Sequence, residues 1–151
     1  MKLRSSAFDD GDDVPQRFTC DGENLSPPLV WSDAPREARS FALFCDDPDA
    51  PRGAWRHWAA YDIPPDWTSL PEGAGASDNI TLRQGLNDFG ERGYGGPCPP
   101  HGHGTHHYPF RLLALSVATL GLSPDATCRD VERAVIGHIL NYATLTGCYR
   151  R

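Results

Sequence analysis

Lysine is almost absent from this chain: Lys2 is the only one in 151 residues. The arginines form no cluster, and 14 basic against 20 acidic residues leave a formal charge of −6. Nucleic acid and anionic membrane surfaces are therefore poor general electrostatic partners, although a local site for one phosphate is compatible with this balance. No apolar run is long enough to span a bilayer, and the opening segment Met1 to Asp13 is polar and acidic, unlike a secretory leader. The initiator Met1 also speaks against a removed leader. Five cysteines (Cys20, Cys45, Cys98, Cys128, Cys148) include no close-spaced pair, and an odd number leaves at least one unpaired unless it bridges chains. A reducing cytoplasm is the simplest location. There is no HExxH, no GxSxG, no internal repeat, no low-complexity tract and no linker.

What is abundant is turn chemistry. The chain has 14 Pro and 15 Gly, with 23% charged and 10% aromatic residues, which describes a folded, turn-rich protein. At this length residues 1–151 form one domain with a real core. Short apolar segments between Pro and Gly read as strands: Leu29-Val30-Trp31, Ser40 to Asp46, Trp55 to Ile63, and His107 to Val117. Pro109, near the start of the last of these, suggests a strand edge or bulge. The tail Ala143 to Tyr149 alternates with period two and reads as a closing strand. The best helix follows Ser123-Pro124-Asp125. Thr127 is its candidate N-cap with Asp130 three residues on, and Cys128, Val131, Val135 and His138-Ile139 share one face. Asn79 to Gly90 reads as loop. The sum is a mainly β domain with one clear helix near its end.

Two segments carry the chemistry. The first is Asp46-Asp47-Pro48-Asp49-Ala50-Pro51, with His57-Trp58 after it; the second is Gly93 to Pro100, followed by His106-His107-Tyr108. Residues i and i+2 of a strand share a face, so His106 and Tyr108 point one way and Phe110 and Leu112 continue inward. The same parity groups Trp55 and His57 with Ala59 and Tyr61. Asp47 is placed to reach an imidazole and orient it. The glycines allow positive φ and a close backbone approach to a ligand, and the prolines stiffen that loop. Donors from His57, His106, Tyr108 and the Gly96 N–H suit phosphate, sulfate or carboxylate, at about 1.5–3 kcal/mol for each charge-assisted bond. Pro51, Trp55 and Pro100 would receive an attached organic group.

Blander readings compete. A single strand histidine is most often a hydrogen-bonded, partly buried residue, Asp-Pro-Asp alone is an ordinary turn, and the Gly/Pro run alone is compatible with a structural role. The joint occurrence of these segments favours a site. His101 and His103 would be able to chelate an ion with an aspartate, but no further ligand pattern supports this, so no metal and no cofactor are expected. A water-activating hydrolase using His57, His106 and Asp47 lacks an obvious nucleophile, and the reading is non-enzymatic.

These segments resemble the two signature regions of the phosphatidylethanolamine-binding protein family, also called the Raf kinase inhibitor protein family, and most of all its small bacterial branch. The similarity extends to Ser6-Ala7-Phe8, Val14 to Gly22, Ser26 to Leu29, Asn87-Asp88-Phe89-Gly90 and Ala143 to Tyr149. The resemblance implies a Greek-key arrangement of two antiparallel sheets with a peripheral helix. It implies a pocket for phosphate-like groups, such as a phospholipid head group or a phosphorylated small molecule, on Asp47, His57, Gly96, His106 and Tyr108. Pro51, Trp55 and Pro100 fall at its rim and Asp49 behind it. The resemblance also implies an alternative role as a regulator of a protein partner such as a kinase or protease. Members of the bacterial branch are often dimers, so a homodimer is among the expected partners. Two departures stand out. His107 occupies a position where the family usually has Arg. The chain also ends soon after Tyr149, so the C-terminal helix that larger eukaryotic members carry beside the pocket is not expected here, which weighs against the kinase form of the alternative.

Overall fold

The computed structural model describes all 151 residues. Eight strands are β1 (Lys2–Arg4), β2 (Leu29–Ser32), β3 (Ser40–Asp47), β4 (Trp55–Ile63), β5 (Ser69–Leu70), β6 (Arg83–Gln84), β7 (His106–Leu115) and β8 (Ile139–Tyr149). One helix, α1 (Cys128–Val135), precedes β8. The strands make two antiparallel sheets, ordered β1-β2-β5 and β6-β4-β3-β7-β8. The long excursion from β4 through β5 and β6 returns β7 to the side of β3, giving the Greek-key arrangement of a mainly β fold.

β3 lies at the middle of the larger sheet, and its sequence Ser-Phe-Ala-Leu-Phe-Cys-Asp-Asp is apolar on both faces because both are covered. Phe41, Leu43 and Cys45 join Trp31, Trp58, Phe110 and Leu112 in the core between the sheets. Ala42 and Phe44 point the other way, to Ala59, Tyr61, Leu113 and the α1 residues Cys128, Val131 and Val135. Pro109 lies within β7, but pairing of β7 with β3 begins only at Phe110, so the missing N–H falls outside that ladder.

Two readings of the sequence need correction. The helical periodicity runs on to His138-Ile139, but α1 stops at Val135; Gly137 adopts φ +87° and Ile139 opens β8 with its side chain exposed. A positive φ breaks the helical path whatever the side-chain pattern beyond it. The stretch Asn79 to Gly90, read as loop, contains β6, whose two residues pair with Ala60 and Tyr61 of β4. Gln84 is chosen for a tertiary reason, since its side chain accepts the Trp58 indole N–H at 2.7 Å.

The N-terminus of α1 carries a capping box: Thr127 Oγ1 accepts the Asp130 N–H at 3.1 Å and the Asp130 carboxylate accepts the Thr127 N–H at 2.9 Å. A helix of 8 residues depends on such termini. Thr127→Ala is expected to cost about 1 kcal/mol, read as a lower urea midpoint with an unchanged slope.

Candidate functional site

Because β3 is antiparallel to both its neighbours, its last residues sit beside the first residues of β4 and β7. That meeting point carries Asp47, His57 and His106, all nearly inaccessible to solvent. Together they line a pocket of about 220 Å³ whose other walls include Pro51, Trp55, Phe89 and Pro100.

His106 is the best-fixed side chain of the site. Its Nδ1 donates to Asp47 Oδ2 at 2.6 Å, while Asp47 Oδ1 accepts the Asp49 N–H at 2.9 Å. Asp47 therefore serves as an orienting acceptor with both oxygens engaged, and the Asp47-Pro48-Asp49 turn is what aims it. The second nitrogen of His106, Nε2, lies 2.6 Å from Nδ1 of His103. His107 faces outward, as strand parity requires, and its N–H and ring Nδ1 both reach Asp49 Oδ2, at 2.8 and 2.7 Å. The His107 hydrogen bond is the main cause of a lowered Asp49 pKa. Asp49 thus braces the start of β7 without touching the pocket.

His57 reaches the site by a route that parity alone does not give. Cys45 pairs with Trp58 and Asp46 with Arg56, so His57 has no partner and is the extra residue of a β-bulge. The bulge detaches His57 from the face of Ala59 and Tyr61, which belong to the core under α1, and turns it toward Tyr108, 5.4 Å between ring centroids. Its Nδ1–H donates to the Gly95 carbonyl at 2.6 Å, and the Gly95 N–H donates back to the His57 carbonyl at 3.0 Å. Burial lowers the pKa of His57, opposed by the Gly95 carbonyl. The neutral ring then presents Nε2 as a lone pair, not as the donor expected from sequence.

Two other expected residues stand back from the pocket wall. The Gly96 N–H is used inside the protein, donating to Asn24 Oδ1 at 2.8 Å. A side chain at Gly96 would collide with the Phe18 carbonyl, so the close approach that needs glycine is to the chain's own backbone. Tyr108 is fully buried behind the pocket, and its hydroxyl makes no hydrogen bond within the protein. Burial first, and the Asp47 charge second, keep the phenol protonated.

Phe89 was not among the expected site residues. It packs edge-on against Trp55 and His57, at 5.5 and 5.1 Å between centroids. Asn87 holds its turn by accepting the Phe89 and Glu91 N–H groups and donating to the Gly93 carbonyl. The Asn-Asp-Phe-Gly turn motif was the only sequence signal. Also unforeseen is a disulfide between Cys20 and Cys98, which with Cys20 N–H to Pro97 O ties the pocket's Gly/Pro wall to the N-terminal segment. Such bonds persist chiefly in oxidising compartments. No three His, Cys, Asp or Glu side chains converge in a way that would hold a metal ion. No helix is long and apolar enough to cross a membrane. A larger hollow of about 400 Å³ lies by Met1–Ser5 and Ala143–Leu145, but its charged residues, Lys2, Arg4, Asp9 and Asp10, are all exposed.

The pairing of signature segments, two-sheet fold and buried Asp–His site defines a recognisable class. Residues 4–150 match the phosphatidylethanolamine-binding protein family. A UPF0098 protein of Methanothermobacter thermautotrophicus is 51% identical over 154 residues, covering 100% of this chain and 99% of that protein. The structure of E. coli YbcL, described as a new member of the mammalian PEBP family, superposes with a TM-score of 0.95 at 33% identity, covering 99% of this chain and 98% of the other. A putative PEBP homologue from Chlamydia trachomatis, CT736, gives a TM-score of 0.89 at 41% identity, covering 99% and 97%. The chain belongs to the phosphatidylethanolamine-binding protein family.

Two predictions follow from this geometry. The unfolded chain protonates its histidines near the ordinary value of about 6.5, whereas His57 resists protonation in the fold, so its stabilising contribution is present above that value and lost as pH falls. His57→Asn, though less stable at neutral pH, should lose less on acidification from about pH 7 to about pH 5, measured by urea unfolding at each pH. Breaking the Cys20–Cys98 bond, by reductant or by Cys98→Ser, is expected to cost about 2–4 kcal/mol, given the 78 residues it spans, and to lower the thermal midpoint.

Proposed function

We propose that the protein is a non-enzymatic binding protein whose pocket takes a phosphate-like anion, such as a phospholipid head group or the phosphate of a small molecule. The observation that carries this is His106, buried and locked by Asp47 at 2.6 Å on the wall of a small pocket with an aromatic and proline mouth. A locked imidazole costs little further ordering when it meets a ligand. The volume of about 220 Å³ suits a head group rather than a whole lipid, since drug-sized ligands occupy about 300 Å³ or more. Tyr108, with its unpartnered hydroxyl close behind His57, supplies a donor that a small side-chain movement would bring to the anion. Gly96 contributes by shaping the wall.

The pocket wall carries no serine, lysine or free cysteine, since Cys98 is bonded to Cys20, and both oxygens of the Asp47 carboxylate are engaged in hydrogen bonds. A protein partner is the second reading, favoured by the exposed aromatic rim of Trp55 and Phe89, which is apolar surface of the kind partners bury. Partner binding would then compete with the anion.

Inorganic phosphate, phosphoethanolamine and glycerophosphoethanolamine are the probes. A saturable rise in thermal midpoint of about 5 °C or more is expected at a hundred-fold excess over Kd for at least one of them. Asp47→Asn and His106→Ala should abolish it. A shift that survives in both variants would place the anion elsewhere.

A further inference from the structure

The pocket has a charge problem. A phosphate dianion entering it would meet the buried carboxylate of Asp47, and no lysine or arginine lines the wall. Arg52 lines the neighbouring hollow instead. Arg151 is committed to the Pro99 carbonyl and to Asp21, at 2.8 and 3.3 Å. At the end of β3 and in the turn after it, Asp47 lines the pocket, Asp46 is paired with Arg111 and Asp49 with His107. On β4 the group that lines the pocket is His57, which burial holds neutral, while its neighbour Arg56 is paired with Glu132 and Asp88. On β7 the groups are His106 and the protonated Tyr108, while His107 and Arg111 are taken by Asp49 and Asp46. On the wall itself positive charge comes only through imidazoles, and the one imidazole in direct contact with His106 is His103.

His103 sits in the exposed loop between Pro100 and His106, next to His101. Gly102 and Gly104 flank it at φ +74° and +92°, and no atom lies within 4 Å of where a side chain at either would begin. The loop is held by backbone bonds from Gly102 N–H to the Arg151 carbonyl and from His103 N–H to the Pro100 carbonyl. Two unpacked glycines give the ring room to swing. In the observed contact, one hydrogen lies between His103 Nδ1 and His106 Nε2, 2.6 Å apart, so only one of the two nitrogens is a donor.

We propose, resting on the anion-pocket reading, that His103 is a second ligand-binding imidazole that selects a phosphate dianion over a phosphodiester. The His103–His106 hydrogen bond opens, and each nitrogen donates an N–H to the anion. The proton balance is explicit: the shared hydrogen stays on His106 Nε2, and His103 Nδ1 takes one proton from solvent, which makes His103 the ring that gains charge. A monoanionic diester gains less from the added charge. Affinity for a dianion therefore falls as pH rises from about 6 to about 8.

The test is calorimetric titration with sulfate, a dianion that does not itself titrate in this range, in two buffers of different ionisation heat. Phosphoethanolamine and glycerophosphoethanolamine serve as the monoester and diester. The parent is expected to bind sulfate and phosphoethanolamine more tightly than the diester, and to take up about one proton with sulfate. His103→Asn, an exposed loop change that keeps a neutral donor, should remove about one proton from the uptake and weaken sulfate about ten-fold or more. Proton uptake unchanged in His103→Asn would assign the proton to His106 or His57 and overturn the proposal. So would sulfate binding that is equal or tighter in the variant, because His103 would then be only a competing cover. If the parent binds none of the three probes, the pocket reading falls and this proposal with it. Binding lost in His106→Ala but unaltered in His103→Asn overturns this proposal alone.

Discussion

The hydrogen bond from His106 Nδ1 to Asp47 joins the end of β3 to the beginning of β7 across the mouth of the main core. It buries a carboxylate and an imidazole together, at 4% and 1% exposure, where either alone would carry a desolvation cost of several kcal/mol. The surrounding structure offsets that cost with further hydrogen bonds. The second Asp47 oxygen takes the Asp49 N–H, Asp49 in turn grips both nitrogens of His107 that it can reach, and the strand that bears His106 is clamped between β3 and β8. Nothing in the arrangement can slide by a residue without unpairing a buried charge, because one step of register would exchange His106 with His107.

A second constraint acts through the backbone. The bulge at His57 and the reciprocal bonds between His57 and Gly95 bring β4 and the Gly/Pro wall together, and the same residue that makes the bulge lines the pocket. The wall is then tied from behind by the Cys20–Cys98 bond, the Gly96–Asn24 contact and the Tyr94 hydroxyl on the Phe18 carbonyl. The pocket is therefore rigid on three sides. Beyond Pro100 the His101 to Thr105 loop is exposed and rich in glycine, and it delivers a histidine to the one nitrogen of His106 that the scaffold leaves over. Side chains held this firmly have little freedom left to lose in any further contact.

Much of this was legible in the chain. The strands over Ser40–Asp46, Trp55–Ile63 and the tail, and the Thr127 cap with Asp130, follow from local pattern and turn chemistry, which act within a few residues. The outward turn of His107 and the inward turn of His106 and Tyr108 follow from period two on an unbulged strand. Where β4 bulges, period two fails, and His57 leaves the face it shares on paper with Ala59 and Tyr61. The short β6 was hidden because two residues carry no periodicity, and its pairing is decided by Trp58 and Ala60 of a distant strand.

The sequence by itself determined the inventory and the local geometry: an acidic turn, two histidines with alternating neighbours, a stiff Gly/Pro run, and a family signature across nearly the whole length. These are properties of neighbours along the chain, where dihedral preference and side-chain period dominate. Only the tertiary structure decided which groups are free to meet a ligand. The Gly96 N–H is consumed by Asn24, His57 is held by Gly95, and Cys98 finds Cys20 78 residues away. Phe89 arrives at the mouth and His103 at His106 for the same reason. Hydrogen bonds and burial are settled between residues far apart in sequence, and a buried donor bonds whatever acceptor the fold places within about 3 Å.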